Sequence, residues 1–332
     1  MSFDTLRSRP VLIGVVVGLP LSAVLLWLAF RNADVAEVRH AVANADLRFL
    51  ALAVLAIALV YALQALRWAW IARTEAVSAA GFAEMVIGGV AVNNVLPGRV
   101  GDLLRARWLQ VAARLPGGRA LATVLVDRAF DVLALVVLLL VALPFVAGAE
   151  WLWRIALGGV GLLIVVLVVL AVARAYTRRR ARDRRSGRSA LRSLVRDTLE
   201  GLADPLGWSR GVALAGLSLL AWTAWALAAS LVARSVGIEL SPLEVVFVAA
   251  VVNLGVAMPS SPGFIGTYQW LGVSALALVG VGNEEALAFA ILMHAVWYVP
   301  TTLLGAALLT RRFLGSMVAT PRAVATQEAG DV

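Results

Sequence analysis

Few residues in this chain have side chains able to do chemistry, and they are not scattered. Arg99, Asp102 and Arg105 fall at i, i+3 and i+6, which on a helix places them on roughly one face. Asp127, Arg128 and Asp131 open an otherwise apolar run, and the spacing of the two carboxylates also puts them on one helical face. Arg67 and Gln64 close another apolar run, and His294 is the only histidine inside one, since His40 lies outside them. Guanidinium groups of this kind hold anionic head groups, and paired carboxylates hold a proton, a cation or a neighbouring arginine. Asp131 has two readings, a structural pair with Arg67 or Arg105 and a part in substrate or coupling chemistry. His294 likewise has two, a proton relay and a hydrogen-bonded packing residue. Gln64 and Arg67 suit snorkelling toward the interface.

These residues must be positioned by helices in a bilayer. The 332 residues are 61% hydrophobic and 15% charged, against about a quarter charged in a soluble domain, and the mean hydropathy is +0.90. Too little polar surface remains to cover a water-soluble globule. Runs long enough to cross the hydrocarbon lie at 11–30, 49–71, 121–147, 152–173, 212–233 and 286–310. The first, preceded by Arg7 and Arg9, reads as a retained signal anchor because it is long and lacks a small-x-small cleavage site. Trp27, Trp68, Trp70, Trp151, Trp153 and Trp208 read as aromatic-belt residues.

Net charge is +9, all 29 basic residues are arginine, and cysteine is absent, which excludes disulfides and thiol chemistry. The excess charge sits beside apolar runs, so it fits a positive-inside topology and not nucleic-acid binding. Residues 174–210 carry eleven arginines against Asp183, Asp197, Glu200 and Asp204, which places that loop in the cytoplasm together with both termini. Within it, Leu191, Leu194, Val195, Thr198, Leu199 and Leu202 recur at helical spacing opposite Arg188, Arg192 and Arg196. Such a helix lies on an anionic membrane surface or docks a soluble partner.

Two further apolar stretches, 82–96 and 242–281, are broken by proline and glycine, and they resemble each other. Glu84 precedes Asn93 by the same nine residues that separate Glu244 from Asn253, and Pro97 precedes Gly101 by the same four that separate Pro259 from Gly263. Three spans lie between the copies, so one hairpin enters from the cytoplasm and the other from outside, an inverted repeat of the transporter kind. Broken helices at membrane depth are tolerated where they are buried in protein or line a wet cavity, and the helix N-termini restarting after each break favour anions. The expected substrate-binding set is Asn93, Pro97, Arg99, Gly101, Asp102 and Arg105 on the first hairpin, with Asn253, Pro259, Pro262, Gly263, Gly266 and Gln269 on the second. Arg67, Asp127, Arg128, Asp131 and His294 are expected to serve coupling or structural pairing.

Four stretches together resemble the lysylphosphatidylglycerol synthase transmembrane-region family, also described as flippase-like domains: NNVLPGRVGDLLR from Asn93 to Arg105, DRAFD from Asp127 to Asp131, PSSPGFIGTYQ from Pro259 to Gln269, and HAVWYVPTTLLG from His294 to Gly305. The likeness runs from the first span to the last. Asp102 stands where that family usually has glutamate, and neutral Gln269 where it often has glutamate. No aminoacyltransferase domain is recognised, so the resemblance implies movement or presentation of a lipid-like substrate and not lysyl transfer.

The expectation is therefore an all-α polytopic protein of six full spans and two re-entrant hairpins, one domain over 1–315 with a disordered tail at 316–332, in a bacterial inner membrane. Its expected partners are membrane lipids, either anionic phospholipid or a polyprenyl-linked substrate. A membrane-associated transferase for which the chain acts as a non-transporting scaffold is the second reading. No nucleotide loop, metalloprotease motif, nucleophile elbow or metal cluster occurs, so neither cofactor, metal nor catalytic residue is expected.

Overall fold

A computed structural model describes residues 9–96, 99–146, 153, 157–161, 197–198, 208–256 and 262–319. Every described element is helical. In chain order they are α1 (Arg9–Phe30), α2 (Val35–Ala43), α3 (Leu47–Ala72), α4 (Ala79–Val95), α5 (Val100–Ala113), α6 (Gly117–Ala142), α7 (Trp208–Ser235), α8 (Pro242–Val256), α9 (Thr267–Ala277) and α10 (Asn283–Ala319), with single 3-10 turns at Leu143–Phe145 and Pro262–Phe264.

Three of these helices, α3, α7 and α10, are long and apolar enough to cross a membrane, and α1 with α2 adds a fourth if that pair, bent by 88°, counts as one span. α6 has 26 residues, about 39 Å at helical rise, but carries Asp127, Arg128 and Asp131 in its middle turns. The expected span at 152–173 and most of the basic loop at 174–210 lie outside the described residues. At the C-terminus, α10 continues through Ala319.

The helices cap themselves where the sequence offers oxygen acceptors to the chain's orphan amides. Asp34, Asp46 and Ser78 accept from the first-turn amides of α2, α3 and α4. Packing between helices relies on small residues, which lets backbones approach where no hydrophobic effect drives helices together in lipid. A Cβ on Gly101 would overlap the carbonyl oxygen of Gly89, and one on Gly305 would run into Ala91 and the Ile87 carbonyl. α4 is thereby clamped against α5 on one side and α10 on the other.

Both broken stretches are helical hairpins. α4 and α5 form the first, and α8 and α9 the second. Pro97 and Pro259 lie outside the described residues. Arg99 turns the first hairpin in the left-handed region at φ 54°, and Gly263 (φ 68°), Phe264 (φ 60°) and Gly266 (φ 84°) turn the second.

Candidate functional site

At the first tip, the Gly101 amide donates to Oδ1 of Asn93 at 2.7 Å. At the second, the Gly266 amide donates to Oε1 of Gln269 at 2.7 Å. Each tip thus spends one amide at the start of its second helix on a side-chain carbonyl of its own hairpin, and at the first tip Arg99 and Arg105 remain as the stronger anion ligands. Asn253 is also occupied, since its Nδ2 donates to the Ala249 carbonyl at 2.8 Å.

The two tips touch. Arg99 Nη2 donates to the Val256 carbonyl at the end of α8 at 3.2 Å. Tyr298 on α10 donates from its hydroxyl to the Asn94 carbonyl at 3.3 Å, while packing beside Gly263. Nδ2 of Asn94 donates to the Thr302 hydroxyl at 2.8 Å, and the hydroxyls of Thr301 and Thr302 bond back to the turn before them. These contacts bracket Pro300, whose missing amide leaves a gap in the ladder of α10.

Behind the first tip, six charges alternate in a closed circuit. Arg67 on α3 contacts Asp127 on α6 at 2.8 Å, and Asp127 contacts Arg105 on α5 at 3.1 Å. Arg105 contacts Asp102 at 3.6 Å, and Asp102 contacts Arg128 at 3.4 Å. Arg128 contacts Asp131 at 3.0 Å, and Asp131 closes the circuit on Arg67 at 2.8 Å. Three guanidinium groups meet three carboxylates, so the circuit is neutral. Burial makes that balance necessary, because an unpaired charge in such a place costs several kcal/mol, on the order of 3–5 when one partner is removed.

Neutral polar groups from α7 complete it. Ser218 accepts from Arg67 at 2.8 Å, and the Trp222 indole donates to Asp131 at 3.1 Å. Arg105 stacks over Trp68, 4.3 Å from the ring centroid, and Trp68 donates to Thr123 at 3.0 Å. Of these, Trp68 is expected from the sequence only as a belt residue, and nothing in the sequence analysis points to Ser218, Trp222 or Thr123. A polar pair at i, i+4 in an apolar helix, as Ser218 and Trp222 are, is the signal that could have found two of them.

The circuit is not uniform. Arg67, Arg105 and Asp127 have side chains 1% exposed, whereas Asp102 is 15% and Arg128 30% exposed. The two longest links both end on Asp102. Arg99, at the exposed tip, lies within electrostatic range of Asp102, Arg128 and Asp131 and adds one positive charge to this end.

Two expectations are corrected here. Arg67 and Gln64 do not snorkel: both are buried, and Arg67 faces two carboxylates inside the bundle. Trp68 is fully buried against Phe82 (5.1 Å between centroids, edge to face) and is no belt residue, while Trp27, Trp70 and Trp153 are exposed as expected. Trp151 and the Trp208 side chain lie outside the described residues. His294 sits apart from the charges, under the second tip, where Gln269 Nε2 meets its Nδ1 at 2.8 Å. Among the described residues, no cluster of histidine, aspartate and glutamate suits a metal ion.

Apolar spanning helices around a buried charged circuit, with two broken hairpins meeting beside it, define an all-helical integral membrane protein. The chain belongs to the family described as Lysylphosphatidylglycerol synthase TM region, which it matches over residues 11–305. It is also similar to a protein from Haloferax volcanii named Glycosyltransferase AglD, at 27% identity over 85% of this chain, and it spans about half (52%) of that relative's length.

Proposed function

We propose that this protein carries an anionic lipid or lipid-linked substrate across the membrane, with the head group held at the junction of the two tips. The observation that carries this reading is the asymmetry of the charged circuit. Its exposed end, where Arg128 and Arg99 stand beside the loosely held Asp102, is the place where a phosphate could enter. A phosphate oxygen contacting Arg128 competes with Asp102, whose contacts are already the longest of the circuit. Displacing Asp102 loosens α5 from α6, and this couples head-group binding to movement of the first hairpin. The matching Glu–Asn and Pro–Gly spacings support an inverted pair of hairpins, one opening to each leaflet, within a bacterial inner membrane with both termini cytoplasmic. In this reading the six spans form the frame, and the chain is a transporter and not an enzyme.

Purified protein in liposomes should move labelled anionic phospholipid or polyprenyl phosphate between leaflets. Arg128→Gln and Arg99→Gln should lower the rate, and neutral lipid should not be moved. Equal movement by the wild type and both variants, or none by the wild type with or without an ion gradient, would overturn the reading.

A second reading, a non-transporting membrane region that serves a transferase, is supported by the likeness to about half of a protein named a glycosyltransferase. Stoichiometric co-purification of such an enzyme, lost when residues 178–196 are deleted, would favour it.

A further inference from the structure

The hydrogen bonds around the tips fall into two groups by length. Within the first hairpin the Gly101 amide holds Asn93 at 2.7 Å. Beyond Pro300, α10 is fastened to that same hairpin, by Asn94 to Thr302 at 2.8 Å and by Arg312 to Glu84 at 3.0 Å, with Gly305 seated against Ala91. Before Pro300, α10 is fastened to the second hairpin, where Gln269 meets His294 at 2.8 Å and Gly272 makes room for Ala290. The bonds that cross between these two bodies are longer: Arg99 to the Val256 carbonyl at 3.2 Å, and Tyr298 to the Asn94 carbonyl at 3.3 Å. Both end on neutral carbonyls at or past the usual length for their donors, so they are the bonds that yield first.

α10 thus belongs to a different hairpin on each side of Pro300. Proline has no amide for the Val296 carbonyl one turn back, and the Thr301 and Thr302 hydroxyls draw on the Trp297 and Tyr298 carbonyls at 2.6 Å each. A missing ladder bond and two shared ones make this turn the least stiff of the helix. Arg99 is the crossing contact that a ligand reaches, because it stands exposed at the tip. It spends a full charge on a last-turn carbonyl of α8, which carries only a partial one. A phosphate oxygen offers that guanidinium a charge-assisted bond roughly twice as strong as a neutral one.

We propose that Arg99 is an anion-operated latch between the two hairpins, and that Pro300 is the hinge on which they part when it is released. This rests on the proposed binding of an anionic head group at Arg99 and Arg128, and adds the route by which the second hairpin responds to it. A phosphate draws Arg99 away from Val256, water at the exposed tip takes over the freed carbonyl, and Tyr298 to Asn94 alone is too weak to hold the junction. The first hairpin and α10 beyond Pro300 then turn as one body against the second hairpin and α10 before it.

The chain has no cysteine, so spin labels can be placed on introduced ones. Leu103→Cys on α5 and Ala277→Cys on α9, both at exposed positions, report the separation of the hairpins by pulsed electron paramagnetic resonance on the full-length protein in nanodiscs. Geranyl phosphate, its binding followed by calorimetric titration, should add a second distance component, and uncharged geraniol should not. Arg99→Gln should show that component with no probe present. Pro300→Ala, which restores the missing amide, should bind the probe and keep the single distance. Tyr298→Phe removes a bond of the closed junction and takes no part in the anion site, so geranyl phosphate should bind up to about fivefold more tightly, one neutral hydrogen bond no longer opposing the opening. That variant tests the latch even if Arg99→Gln fails to fold, and weaker binding by it would overturn the latch. Probe binding by the wild type with an unchanged distance distribution would also overturn the latch while leaving the anion site standing. No binding of geranyl phosphate by the wild type would overturn the anion site and the latch together. A second component undiminished in Pro300→Ala would overturn the hinge.

Discussion

Removing one member of the charged circuit should cost far more than removing a balanced pair. Arg105 and Asp127 are the pair to choose, because both are 1% exposed and their N–O distance is 3.1 Å. At an effective dielectric of about 20 the attraction across that distance is roughly 5 kcal/mol, most of it offset by the cost of taking both groups out of water. Asp127→Leu leaves Arg67 and Arg105 facing one another with a net positive charge, and Arg105→Met leaves a net negative one. Each single change should therefore destabilise by about 3–5 kcal/mol. The double variant keeps Arg67 and Arg128 against Asp102 and Asp131, which is again neutral. It should be more stable than the sum of the singles predicts by about 2–3 kcal/mol. Reversible unfolding in mixed micelles, followed by circular dichroism, measures all four corners of the cycle. Singles that add to the double within about 0.5 kcal/mol would refute the circuit as a coupled unit.

Three further outcomes follow from the geometry. Gly101→Ala should destabilise by about 1–3 kcal/mol, because the new methyl meets the rigid Gly89 carbonyl. Gly89→Ala should cost a similar amount, since its Cβ meets the inner methylenes of Arg105, which the circuit holds in place, and the Gly101 carbonyl; thermal melts of the two variants compare them. Asn93→Ala should cost about 1 kcal/mol by leaving the Gly101 amide uncapped, seen as faster hydrogen exchange at the start of α5. Arg99→Gly should relax the left-handed turn and hold or raise the melting temperature, while Arg99→Gln lowers the affinity for geranyl phosphate.

Much of this arrangement was legible from the sequence, for a physical reason. A charge or a proline–glycine break inside an apolar run is expensive in lipid, so it stands out wherever it occurs. That rule picked out Arg99, Asp102, Arg105, Asp127, Arg128, Asp131 and His294, and it delimited both hairpins. It did not say which helices adjoin. Closing an apolar run, Arg67 suits both snorkelling and a pair with Asp131, and the neighbourhood of α3, α6 and α7 turns it inward toward two carboxylates. Trp68, Trp222 and Trp297 were unremarked or taken as belt residues, since indole is at home at a bilayer interface and in a core alike. Asn93 and Gln269 were read as ligands of the substrate, yet each first serves its own tip as a cap.

That last difference bears on how a head group is recognised. Had the tip amides been free, both hairpins would bind an anion in the same way, by helix N-termini, and the substrate would bridge two equivalent sites. With one amide engaged at each tip, the proposed recognition falls more to side chains, and there the hairpins diverge. The first tip carries Arg99, Asp102 and Arg105, with Arg128 across from it, whereas the second is walled by Tyr268, His294 and Trp297 and carries no full charge among them. In the proposed reading an anionic head group therefore sits against the first tip, where Arg99 and Arg128 face it.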